Sequence, residues 1–126
     1  MAEIEIDEKC IIVSETDEKG IITFANDDFI RYSGYKREEL LGKPHNILRH
    51  TDMPKAAFAD LWTTIKSGKT WNGFVKNKTK NGDFYWVYAT ASQVTAPDGS
   101  TRYISLRNKP SATEIKKYDA LYKTMK

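Results

Sequence analysis

The residues of this sequence best placed to do chemistry suit gripping a flat, partly polar molecule better than cutting a bond. Residues 70–79 read TWNGFVKNKT. On a strand, residues two apart share a face. Trp71, Gly73, Val75 and Asn77 form one set, and Asn72, Phe74, Lys76 and Lys78 the other. The two lysines direct the second set to water, so the first faces inward. A large ring, a gap, an aliphatic group and an amide make an unusual inner wall. The amide of Asn77 both donates and accepts. Such a wall suits a flat ligand with a polar edge. It also describes a core tryptophan beside an asparagine satisfied by backbone.

A second group is Arg49-His50-x-Asp52. Arg49 offers a planar fork of donors suited to a pyrophosphate. His50 adds a hydrogen bond or a stacking surface. Asp52 suits sugar hydroxyls or the cap of the helix that follows. Alone, this short pattern decides nothing. Trp62 fits a core or a ligand wall, and Asn26 fits a helix cap. His45 has no assigned role. Two histidines in different settings, with no cysteine or carboxylates at ligand spacing, give no metal site. No Ser-His-Asp pattern, phosphate loop or nucleophile elbow is present, so an enzyme is not expected.

The elements that must position these residues follow from pattern. Residues 10–16 (CIIVSET) and 21–25 (IITFA) read as a hairpin across the Asp17–Gly20 turn. Residues 26–32 and 37–41 read as short helices, stopped by Gly34 and by Gly42 with Pro44. Asp52 and Pro54 open the next helix. Its Phe58, Leu61, Trp62 and Ile65 make one apolar stripe, and Gly68 ends it. Strands follow at 70–79, 84–95 and 102–108, with turns at Asn81-Gly82 and Pro97-Asp98-Gly99. On the second of these, Tyr85, Val87, Ala89 and Ala91 share the inner face. The alanines leave room under a ligand. Phe74, Trp86, Tyr88, Ile104 and Leu106 are placed outside, as a patch that an output module, a second PAS domain or the segment before Cys10 covers. The last strand also allows Ser105 and Arg107 to face in. From Ser111 the chain is helix-forming. This is an α+β chain: five antiparallel strands, with short helices covering one face and a ligand cavity between.

The 126 residues fit one domain able to bury a core, and the single cysteine permits no internal disulfide. Net charge is only +3, with lysines scattered among acids, so nucleic-acid binding is not expected. No run of apolar residues is long enough for a membrane helix, and a cytoplasmic setting is expected.

The order of elements, DEKGIITFANDDFIRYSGYKREELLGK and KNKTKNGDFYWV resemble a PAS domain over residues 10–110. The preceding 1–9 read as a cap segment, and 111–126 as a helix leading to an output module. The stretch HNILRHTDMPKAAFADLWTTIKSGKTWNGFVKNKTKNGDFYWVYA is similar to the PAS domain of bacterial aerotaxis receptors. That resemblance implies non-covalent FAD and a redox or oxygen sensor relaying flavin state to a chemotaxis-type output, in the same receptor, a partner or a PAS homodimer. It implies FAD contacts for Arg49, His50, Asp52, Trp71 and Asn77, with Trp62 and Asn26 nearby. The light-sensing flavin PAS domains carry a cysteine where residues 45–50 have none, so a thiol–flavin adduct is not expected. The alternatives are a PAS gas sensor with haem on His50 or His45, and a ligand-free interaction module.

Overall fold

A computed structural model describes residues 2–125. Met1 of the expected cap segment and Lys126 of the expected C-terminal helix lie outside the described residues. The strands are β1 (Ile12–Thr16), β2 (Ile22–Ala25), β3 (Trp71–Lys78), β4 (Phe84–Thr95) and β5 (Thr101–Asn108). They form one antiparallel sheet in the order β2-β1-β5-β4-β3. Between β2 and β3 lie α1 (Asp27–Ser33), α2 (Arg37–Leu40), a 3-10 helix (His45–Leu48) and α3 (Lys55–Lys66). α4 (Ala112–Tyr122) follows β5. The architecture is the expected one.

Local chemistry explains the boundaries. The Asp17 carboxylate accepts from the backbone N–H of Lys19 and Ile21, and Gly20 takes the left-handed conformation that the turn needs. The Asn26 oxygen accepts from Phe29 N–H as the α1 cap, and also from Val13 N–H. Its amide donates to the Ile11 carbonyl, so one side chain ties α1 to β1. Ser111 and Glu114 form a reciprocal capping box at the start of α4.

Register fixes the faces. Gly73 lies opposite Ala89, Ala89 opposite Arg107, and Ala91 opposite Ser105. These residues share the face covered by α3 and the short helices, while Phe74, Lys76, Trp86 and Tyr88 lie on the other. Ser105 and Arg107 therefore point inward.

Three expectations need correction. Asp52 does not cap α3: Pro54 holds the cap position with no side-chain bond. The Asp52 carboxylate instead accepts from the Lys76 ammonium at 2.7 Å, where a full opposite charge competes better than a helix N–H. Lys76 is not in water. It is 7% exposed, with its ammonium over the rings of Phe84 and Trp86. Lastly, much of the outer patch is covered by this chain's own α4. Tyr118 stacks on Phe74 at 4.3 Å, Tyr122 stacks on Trp86 at 6.1 Å, and the Tyr122 hydroxyl donates to the Phe74 carbonyl. Residues before β1 add to the cover at the start of β4, where Ile4 N–H donates to Phe84 C=O. Leu106 stays exposed.

The free edge of β3 is also closed. Arg49 bridges to Asn77, His50 N–H donates to Lys76 C=O, and Lys76 N–H donates to the Met53 sulfur. The Arg49-His50-x-Asp52 segment thus sits where the inner and outer faces meet.

Candidate ligand-binding cavity

A cavity of about 400 Å³ lies between the inner face of the sheet and the helical cover. That is within the range of roughly 300–1,000 Å³ usual for small-molecule sites. Val75, Asn77, Ala89 and Ala91 form its floor. The small side chains of β4 open space that a larger residue would fill. Phe58, Leu61, Trp62 and Ile65, the apolar stripe of α3, form the opposite wall. Trp62 packs edge-on against Tyr103, and the β1–β2 turn closes over it. A Cβ on Gly20 would stand 3.3 Å from its ring.

The polar part of the wall is concentrated at one end. The Arg107 guanidinium donates to Ser14 Oγ at 2.7 Å and lies 3.0 Å from His45 Nε2. Arginine has only donors, so this imidazole nitrogen accepts and carries no proton. His45 also stacks on Phe29, and Arg107 lies 4.6 Å over the same ring. Part of His45 reaches solvent, but its ring is enclosed. Burial first, then the Arg107 charge, pushes the imidazole down to about 3. Burial also lowers Arg107, to about 10, leaving it a cation at neutral pH. Burial raises the Tyr85 hydroxyl beneath the floor.

Arg49 stands at the helical side of the cavity, with its guanidinium 3.8 Å over the Phe58 ring. Neither Arg49 nor Arg107 has a carboxylate within ion-pair distance among the described residues. Among the described residues, four buried polar side-chain atoms have no hydrogen-bond partner: Arg49 Nε, Arg107 Nε, Thr16 Oγ1 and the Tyr85 hydroxyl. Buried polar groups are ordinarily satisfied. Arg49, Arg107 and Thr16 all line this cavity.

The structure brings Arg49, Asn77 and Trp62 together at the cavity. It places the other four named residues elsewhere. Trp71 is on the inner face, but its ring lies flat across Gly73, where a Cβ would meet it at 2.3 Å. Its indole N–H donates to Asp60. His50 accepts from Asp52 N–H and packs edge-on against Phe84. Asp52 pairs with Lys76, and Asn26 spends its amide on α1 and β1. Sequence reasoning gave His45 no role and missed Ser14. The alternation Ile12, Ser14, Thr16 on β1 was the available signal for the serine.

A profile of the PAS fold matches residues 22–110. The chain belongs to the PAS-fold family. This PAS domain is 48% identical over 114 residues to the aerotaxis receptor of Escherichia coli (strain K12), covering 90% of this chain and 22% of the receptor. It is 26% identical to a nitrogen fixation regulatory protein of Klebsiella pneumoniae, over 78% of this chain and 20% of that protein. The chain spans about a fifth of the length of these relatives. The PAS domain also superposes on the LOV domain of the blue-light photoreceptor Aureochrome1 in its light state. That match has a TM-score of 0.72 and 19% identity, covering 88% of this chain and 87% of the other. A light-oxygen-voltage domain studied with a flavin analogue matches with the same TM-score and identity, over 86% and 82%. No helix among the described residues is long and apolar enough to cross a membrane.

Proposed function

We propose that this PAS domain binds FAD without a covalent bond and reports the flavin's redox state, in response to oxygen or electron supply, to an aerotaxis-type output. The observation that carries the reading is a mid-sized cavity, apolar on its α3 wall, that holds two guanidinium groups with no carboxylate within ion-pair distance among the described residues. A ligand with a flat ring, a polar edge and a diphosphate complements all three features. The similarity to an aerotaxis receptor supports the same reading.

The residues divide the work. Ala89 and Ala91 leave the floor open to a ring, and Trp62, Leu61 and Ile65 exclude water above it. Asn77 presents both a donor and an acceptor to the polar edge. Arg49, stacked on Phe58, is held with its fork ready for the diphosphate. His50 and Asp52 act at one remove, holding the Arg49 segment on the edge of β3. Bound flavin supplies the reversible electron chemistry. In this reading the domain works in the cytoplasm as a sensor, and its output module lies in the same receptor or a partner.

The test is to purify the protein, denature it and identify the released chromophore by chromatography. FAD at about one per chain is expected. Haem, or no chromophore after expression with ample flavin, overturns the proposal.

A further inference from the structure

Resting on the reading of the cavity as a flavin site, we infer that Thr16 is a further ligand-binding residue, whose hydroxyl bonds the ribityl chain, the polyol between the flavin ring and its phosphate. Ser14 and Thr16 stand two residues apart on β1, and both belong to its buried face. Ser14 is spent within the chain: its hydroxyl accepts from Arg107 at 2.7 Å and lies 3.0 Å from His45 Nε2. Thr16 is also enclosed, at 6% exposure, and lines the cavity. Its hydroxyl nevertheless has no partner among the described residues. A buried hydroxyl left unbonded is a cost to the empty fold. Valine has the same shape without that cost and suits a strand at least as well, so local stability does not account for a threonine here.

Position says which part of a flavin reaches Thr16. Across the sheet it stands opposite Tyr103 on β5 and Ile22 on β2, and neither bonds its side chain. The β1–β2 register shifts between Glu15 and Thr16, leaving Thr23 without an opposite residue. Such a shift re-aims the side chains beside it. Thr16 also stands at the mouth of the cavity. The exposed lining residues Glu18, Lys19, Pro44, Asn46 and Lys66 mark that opening, and the first two follow Thr16 within three residues. A flavin seats its ring over Ala89 and Ala91, against the α3 stripe, and its charged tail leaves by the mouth. The chain joining the two carries hydroxyls along its length and passes Thr16. A threonine hydroxyl both donates and accepts, as a polyol hydroxyl does, so each satisfies the other. The Thr16 hydroxyl is closed off from solvent in the empty cavity. One step between staggered rotamers exchanges it with the methyl group and brings it to the ligand without moving the backbone.

The experiment compares wild type, T16V and T16S, each stripped of flavin, in titrations with riboflavin and with lumiflavin, which has the same ring and a methyl group in place of the chain. T16V should bind riboflavin about three- to tenfold more weakly, the worth of one neutral hydrogen bond, and lumiflavin as well as wild type does. T16S keeps the hydroxyl and should restore riboflavin binding. In urea, flavin-free T16V should unfold at the same concentration as wild type or a higher one, because only an unbonded hydroxyl is lost. Equal riboflavin affinity in T16V and wild type overturns the inference. So does a loss shared equally by riboflavin and lumiflavin, or one that T16S fails to restore, since each marks a packing role. Where the stripped chains do not stay folded, the rate of FAD loss on dilution of the loaded chains decides. Faster loss from T16V than from wild type and T16S supports the inference, and equal rates overturn it. A wild type that takes up neither flavin removes the site reading and the inference together. A wild type that binds riboflavin, with T16V unaffected, removes only the role of Thr16.

Discussion

Lys76 and Arg107 are both buried cations, on opposite faces of one sheet, 7% and 4% exposed. Lys76 has everything a buried charge needs. Asp52 neutralises it at 2.7 Å, two aromatic rings lie under its ammonium, and α4 closes the neighbouring surface. Arg107 has two neutral partners and an unpaired N–H beside a cavity. Leaving a buried charge uncompensated is costly. The outer-face charge is therefore compensated within this chain, whereas the inner-face charge meets no carboxylate among the described residues.

The largest effect that separates the two faces is expected at Trp86. It is nearly fully buried under Tyr122, so Trp86→Glu should cost roughly 3–5 kcal/mol, as losing a large core ring does. Urea unfolding reads this out, and Ile104→Glu, on the partly exposed half of the same face, should cost far less. A charged residue at position 86 therefore disrupts the fold first, and only a substitution such as that at Ile104 probes outer-face signalling cleanly. Equal losses at the two positions would mean that α4 does not protect its half of the sheet.

The next effect belongs to the inner face and depends on pH. Folding holds His45 neutral down to about pH 3, whereas the unfolded chain protonates it near 6.5. Between these values the unfolded state binds more protons, so stability falls as the pH falls. The contribution should reach at most about 3 kcal/mol by pH 4, lessened by the part of His45 that meets water. In denaturation curves taken from pH 7 to pH 4, H45Q should show a flatter acid limb than wild type. Parallel limbs would place the acid sensitivity elsewhere.

Arg49→Ala should weaken FAD more than FMN, because only FAD carries the diphosphate assigned to the guanidinium. One lost charge-assisted hydrogen bond is worth about 1.5–3 kcal/mol, or roughly 10- to 150-fold. Competitive titration of the two flavins checks this, and an equal loss for both would remove the assignment. The smallest effect is expected for Asp52→Asn, at about 1–2 kcal/mol. It strips Lys76 of its counter-charge, but at a carboxylate half open to solvent. Flavin retention in D52N should follow its loss of stability. A D52N protein that is stable yet flavin-free would mean that Asp52 touches the ligand directly.

The fold was legible because its signals are local. The apolar stripe of α3, the two-residue alternation of β3 and β4, and the glycine turns each lie within a dozen residues. The β3 wall was read from its lysines, and Lys76 shows the limit of that rule. A lysine reaches the outer face without reaching water when an acid and two rings await it. The inner polar network was not legible, since Arg107 meets Ser14 and His45 across 93 and 62 residues of sequence. Neither partner stands out in its own stretch. Asp52 was misread as a cap because a carboxylate before a helix looks the same whether it bonds the helix or a distant lysine.

The three tryptophans stand in three separate compartments. Trp62 is on the cavity wall, Trp71 lies across Gly73 beside Asp60, and Trp86 is sealed beneath α4. Intrinsic fluorescence is therefore a positional record. A chromophore filling the cavity quenches Trp62 most strongly, because energy transfer falls steeply with distance. Loosening of α4 changes the Trp86 emission with little effect on the other two. With single-tryptophan variants, one cuvette reports occupancy of the inner face and closure of the outer face as independent signals.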